Sequence, residues 1–135
     1  MTHLGVTKTT IQAENRAWLR GPHGTEPGAN PNVTLSVALF TAGTHYPNGF
    51  IPSGTVLGKV TATGLYGPYD NTAEDGREVA AGILFGSLTV PAGIDRVASG
   101  LVVHGFVNPA KLPLQSGTGA LDASARTDLK HIIFE

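Results

Sequence analysis

No cysteine occurs anywhere in the 135 residues, and this alone excludes disulfides, thiolate metal sites and thiol nucleophiles. Charge is scarce as well. Nine Lys and Arg face ten Asp and Glu, so charged residues make up 14% of the chain and the net charge is −1, against about 25% charged residues in an ordinary soluble domain. The basic residues Lys8, Arg16, Arg20, Lys59, Arg77, Arg96, Lys111, Arg126 and Lys130 are interspersed with acids. A protein that neutralises several phosphates needs a basic stripe, so no nucleic-acid partner is expected. No window approaches the roughly 18 apolar residues of a membrane span, and residues 1–10 hold no long apolar run; the reading is a soluble chain with no membrane partner and no signal peptide. A surface so poor in ions relies either on Thr, Ser, Asn and Gly for solubility or on burial within an assembly, and the assembly reading is favoured.

Glycine and proline are abundant, 18 and nine residues respectively, so turns must be frequent, and the length is that of one domain with one core. Residues 21–32 hold three Pro and three Gly and no apolar side chain larger than Ala29, which reads as a link. The expected division is an N-terminal arm and linker over 1–31 and a β-rich domain over 32–135. Within the arm, residues 9–19 alternate in a strand pattern that sets Ile11, Ala13, Ala17 and Leu19 on one side. A helix is the rival, with Ile11, Asn15, Trp18 and Leu19 sharing a face. Val33, Leu35, Val37 and Leu39 alternate as a half-buried strand. Residues 41–53 read as an ordered loop around the Pro47-Asn48-Gly49 turn, and short strands are expected at 55–63 and 64–69. The apolar stretches 78–90 and 98–107 should form the centre of the sheet. Near the end, Asp122 is the candidate N-cap of the one good helix, with Leu121, Ala125 and Leu129 at helical spacing, and Ile132, Ile133 and Phe134 form a terminal strand.

Chemistry finds little support. His3, His23, His45, His104 and His131 are far apart in sequence, so no metal is expected; His104, read as lying inside an apolar strand, is better explained as a hydrogen-bonded core or interface residue. The run Ser116-Gly117-Thr118-Gly119-Ala120 lacks the Lys and the preceding strand of a phosphate loop. Glu74 and Asp75 sit in a turn with no facing acid, and no nucleophile-elbow motif is present. The chain is therefore read as a non-enzyme without cofactors.

The run Asp75-Gly76-Arg77-Glu78-Val79-Ala80-Ala81-Gly82-Ile83-Leu84 resembles the lambda-type head decoration proteins of tailed phages. In that family a D-G turn leads into a small-residue strand ending in G-I-L, followed by a strand with a central Gly and a short helix before an apolar terminus; residues 98–107 and 121–134 supply those parts. The stretch 42–68 is similar to that of actinobacterial-phage members. The resemblance implies a mixed β-rich fold with few helices, assembling as a homotrimer at three-fold and quasi-three-fold positions of the shell. It also implies an N-terminal arm that orders on the capsid.

Together these readings predict a mainly β (β-rich α+β) protein: a small mixed β-sheet or barrel-like domain with one short C-terminal helix and an extended N-terminal arm. The expected partners are the major capsid protein and further copies of the same chain. The expected location is the virion, on the outer surface of the capsid, after synthesis in the host cytoplasm. Lys8, Ile11, Ala13, Ala17, Trp18 and Leu19 are the candidate capsid-binding residues, added as a strand to an exposed edge of the shell protein. Trp18 has two readings, an interface anchor and an ordinary packed Trp. The rival function is a small-ligand or glycan-binding β-domain with His45, Tyr46, Phe50, Tyr66 and Tyr69 lining the site.

Overall fold

A computed structural model describes residues 15–26 and 28–135. Five strands close into a barrel in the order β1 (Asn32–Ser36), β4 (Tyr66–Pro68), β3 (Val56–Lys59), β5 (Ala80–Leu84) and β7 (Arg96–Val102). All neighbours are antiparallel except β1 and β4, whose parallel contact at Leu35 and Tyr66 closes the ring. Closure removes the free sheet edges that would otherwise invite pairing with other chains. Two small accessory sheets stand beside it. The short strands β2 (Phe50–Ile51) and β6 (Leu88–Thr89) pair antiparallel, while β8 (Gly105–Val107) and β9 (Ile132–Phe134) pair parallel.

The alternation of side chains along a strand explains how one barrel supports two cores. On β3, β5 and β7 the adjacent residues Val56 and Leu57, Ile83 and Leu84, and Leu101 and Val102 are all buried. Leu57, Leu84 and Leu101 join Val33, Leu35, Phe40 and Ile51 in one cluster. Val56, Ile83 and Val102 join Trp18, Val107, Leu112, Ala125, Leu129 and Ile132 in the other. The three strands thus form a wall between the barrel interior and a second layer built from the C-terminal elements. Strands covered on both faces have no reason to alternate in polarity, which is why 78–90 and 98–107 are the most apolar stretches in the sequence.

The expected helix spans α2 (Ala123–Asp128), where the Asp122 side chain accepts a hydrogen bond from the Ala125 amide and caps the first turn. Asp122 also accepts a 2.8 Å bond from the Tyr69 hydroxyl, so the cap ties α2 to the residue after β4. Three expectations need correction. The strand read through Val37 and Leu39 ends at Ser36, and Val37–Leu39 form a 3-10 turn in which the Phe40 amide donates to the Val37 carbonyl at 3.0 Å. The stretch 41–53 is not loop throughout: α1 (Ala42–His45) forms a single helical turn there, closed by the His45 amide donating to the Thr41 carbonyl at 2.7 Å. His104 does not lie within a strand but in the bend between β7 and β8. No helix of the described residues is long and apolar enough to cross a membrane.

Gly82 on β5 shows how close the wall is packed: a Cβ there would fall 2.6 Å from Leu101 Cγ and 2.8 Å from the Val102 carbonyl oxygen. Replacement Gly82→Ala should therefore overpack the barrel and cost about 1–3 kcal/mol, read as a lower urea midpoint at unchanged slope. An unchanged midpoint would mean that the Leu101 side chain can yield at no cost.

Candidate functional site

Of the residues expected to meet a partner, Lys8, Ile11 and Ala13 lie outside the described residues, while Ala17, Trp18 and Leu19 lie on a segment seated against β8. The Asn108 amide donates to the Trp18 carbonyl at 2.7 Å and the Arg20 amide to the Phe106 carbonyl at 2.9 Å. Between them Leu19 forms an antiparallel bridge with Val107. Ahead of that bridge the strand pattern does not continue, because the Leu19 amide turns back to the Arg16 carbonyl at 2.9 Å. Ala17 is exposed and Leu19 half-buried.

Trp18 is 1% exposed and belongs to the core between the barrel wall and the C-terminal layer. Its indole N–H donates to Ser53 Oγ at 3.2 Å, and the Ser53 hydroxyl in turn donates to the Phe85 carbonyl at 2.7 Å. The same carbonyl accepts from Arg16 Nε at 3.0 Å, while the Arg16 guanidinium lies 3.9 Å from the centroid of the Phe85 ring. Phe85 directly follows β5, so the root of the N-terminal segment is clamped to the end of the wall. The apolar surface left open lies chiefly elsewhere. Phe106 and Ile133, opposite each other in the β8–β9 pair, are 38% and 51% exposed, and Val79 and Ile94 are exposed as well.

The aromatic residues considered for a ligand site do not converge. Tyr69 is buried and borders a cleft of about 340 Å³ with Asp70, Gln115 and Asp122. His45 and Phe50 border a different cleft of about 320 Å³. Tyr46 and Tyr66 pack against the barrel core. His45 itself is fully engaged: Nδ1 accepts from the Thr41 amide at 2.8 Å, and Nε2 lies 2.9 Å from Thr118 Oγ1 and 3.2 Å from the Thr118 carbonyl. Since Nδ1 is the acceptor, the proton belongs on Nε2, facing Thr118. Burial pushes the His45 pKa below its ordinary value, and the bond to the Thr118 carbonyl opposes that shift. Among the described residues no group of three or more His, Asp or Glu is arranged to hold a metal ion.

One contact was missed in the sequence. His23 and His104, 81 positions apart, meet through Nε2 and Nδ1 at 3.1 Å. The recurring His-Gly dipeptide, at 23–24 and again at 104–105, was the available signal.

These features define a closed β-barrel whose N-terminal segment is clasped from outside. The family model of the bacteriophage lambda head decoration protein D matches residues 27–132, and the chain belongs to that family. It is thus a structural component of the phage head, a capsid decoration protein. No curated protein sequence matches the chain.

Two expectations follow from this geometry. Trp18→Ala should destabilise the free protein by about 3–5 kcal/mol, the cost of an empty Trp site, whereas Trp18→Phe should cost clearly less; chemical denaturation of both variants measures this. His45 bears on pH dependence. Its folded pKa lies below the unfolded value of about 6.5, so its contribution is complete above that pH and declines as the pH falls toward the folded value. Between about pH 7.5 and pH 5 the melting temperature of the parent should therefore fall further than that of His45→Asn.

Proposed function

We propose that this decoration protein binds the major capsid protein on the outer surface of the expanded head as a homotrimer, at three-fold and quasi-three-fold positions, and stabilises the shell. The observation that carries the reading is the family match over residues 27–132, which covers the barrel and all but the last residues of the C-terminal layer. The same reading takes the chain to be an actinobacterial-phage-like member, on the similarity of 42–68 to such members.

In the proposed mechanism the arm adds as a strand to an exposed edge of the shell protein, with Lys8, Ile11 and Ala13 at the contact and Ala17 and Leu19 at its inner end. Trp18 serves as the fixed point rather than as a surface anchor: buried in the domain, it turns capture of the arm into a pull on the core. Ordering a dozen backbone residues costs on the order of 12–24 kcal/mol, while each strand hydrogen bond returns only about 0.5–1.5 kcal/mol net. A single arm therefore holds weakly. Three arms on one trimer make the later contacts intramolecular, raising avidity by about 10² to 10⁴ where the spacing of sites allows. A ligand that binds only the expanded shell stabilises it by mass action.

The test is binding to undecorated expanded capsids by sedimentation, with capsid melting as a second readout. The informative truncation starts at Asn15, since a cut at Gly28 would also remove Trp18 from the core. The full chain should bind and raise the capsid melting temperature. The chain starting at Asn15 should keep its own melting temperature and lose at least about a hundredfold in capsid affinity, the lower end of the avidity effect. Equal binding by both forms would remove the arm from the mechanism; no binding by either would remove the capsid reading.

A further inference from the structure

Two His-Gly dipeptides, His23-Gly24 and His104-Gly105, pack against each other reciprocally. A Cβ on Gly24 would lie 1.8 Å from the His104 carbonyl oxygen, and a Cβ on Gly105 would lie 2.7 Å from the His23 carbonyl oxygen. Both glycines have positive φ, 87° and 145°, which other residues rarely adopt. Each glycine thus admits the backbone of the opposite histidine, and this mutual approach brings the two imidazoles together. Their rings are 4.8 Å apart between centroids with planes at 62°. His23 also lies against Phe106, with centroids 5.8 Å apart.

The geometry points to a binding site for one borderline divalent transition ion of the zinc class, held by His23 Nε2 and His104 Nδ1, with water completing the coordination. With metal–nitrogen bonds of about 2.0–2.1 Å, the 3.1 Å separation of the two nitrogens corresponds to a nitrogen–metal–nitrogen angle of about 98°. The centroid distance is an independent check. An imidazole centroid sits about 3.2 Å from a bound ion, so a 4.8 Å separation also gives an angle close to 98°. Both values fall between the roughly 90° of octahedral and the roughly 109° of tetrahedral ligands. A head-on hydrogen bond of this length between two imidazoles would hold the centroids about 5.4 Å apart. At 4.8 Å the rings are bent off the line joining the nitrogens, while the 3.1 Å nitrogen contact is itself of hydrogen-bond length.

The surroundings fit a cation. The Glu26 carboxylate accepts from the Gly24 amide at 3.0 Å, in the same tight loop as His23. Its pKa is lowered, first by its own backbone amide and then by that of Gly24. Arg20, the nearest basic residue along this segment, is turned to the chain terminus, where it is 3.7 Å from the Glu135 carboxylate. An ion bound here would staple the loop 21–26 to the bend between β7 and β8, beside the Arg20–Phe106 hydrogen bond, a role separate from capsid binding.

Zinc chloride is the probe, titrated into the full-length chain carrying His3→Ala so that no histidine near the amino terminus competes. Bound zinc should saturate at one ion per chain, and the melting temperature should rise with free zinc, by about 5 °C at a tenfold excess over Kd. Copper should bind more tightly than zinc. His23→Asn and His104→Asn should each abolish the rise. Long-range proton–nitrogen spectra of the parent read the same site without mutation: zinc should shift His23 Nε2 and His104 Nδ1 and leave His45 unmoved. Absence of a zinc-dependent rise, a rise that survives either substitution, or zinc-induced shifts at other nitrogens would each overturn the assignment.

Discussion

Burial of β3, β5 and β7 on both faces is the constraint from which the rest of this structure follows. A strand that presents Ile83 to one layer and Leu84 to another needs apolar neighbours on each side. The barrel supplies one set by closing on itself. The other must come from chain outside the barrel, and it is assembled from both ends: Trp18 from before β1, and Leu112, Ala125, Leu129 and Ile132 from after β8. Without this outer layer, Val56, Ile83 and Val102 would form an open apolar face, the kind of patch that drives association.

The same constraint explains why so little titratable chemistry is left over. Ser53 is spent on linking the Trp18 indole to the Phe85 carbonyl. Asp122 caps α2 and receives the Tyr69 hydroxyl. Asp128 accepts from the Ala80 amide at the start of β5. These polar groups fasten the outer layer to the wall, where each satisfied bond is worth about 0.5–1.5 kcal/mol and each broken one leaves a buried group without a partner. A scaffold organised this way suits a head decoration protein, whose task is to hold its shape on a surface.

Much of the barrel was legible in the sequence because strand burial writes itself into residue pattern. Alternation at Val33 and Leu35 marked β1, and the two most apolar stretches, each interrupted by Gly, marked β5 and the end of β7, where both faces are covered. The Asp122 cap and the spacing of Ala125 and Leu129 marked α2. The turn of helix at Ala42–His45 left no trace, since four residues are too few to show a period; it is held by His45, whose ring reaches back to the Thr41 amide and across to Thr118. Partner choice is similarly invisible: the sequence carries no sign that β8 and β9 run parallel, or that β1 touches β4. The fate of Trp18 was open for the same reason, because a Trp beside a glycine-rich link looks alike whether its pocket lies in its own domain or on another molecule. The histidine pair escaped because its signal is a repeated dipeptide, not a spacing.

The central position of β8 sets an order of events. One of its edges receives Leu19, the other receives β9, so a segment from before β1 and one from after α2 share a single three-residue template. The barrel likewise waits for β7 before β1 finds its antiparallel partner. A nascent chain cannot complete the packing around Trp18 until Ala125, Leu129 and Ile132 have left the ribosome. Chains broken off before β9 would therefore keep an unsealed hydrophobic face, available to chaperones and proteases, and only molecules that extend through it would acquire the finished exterior.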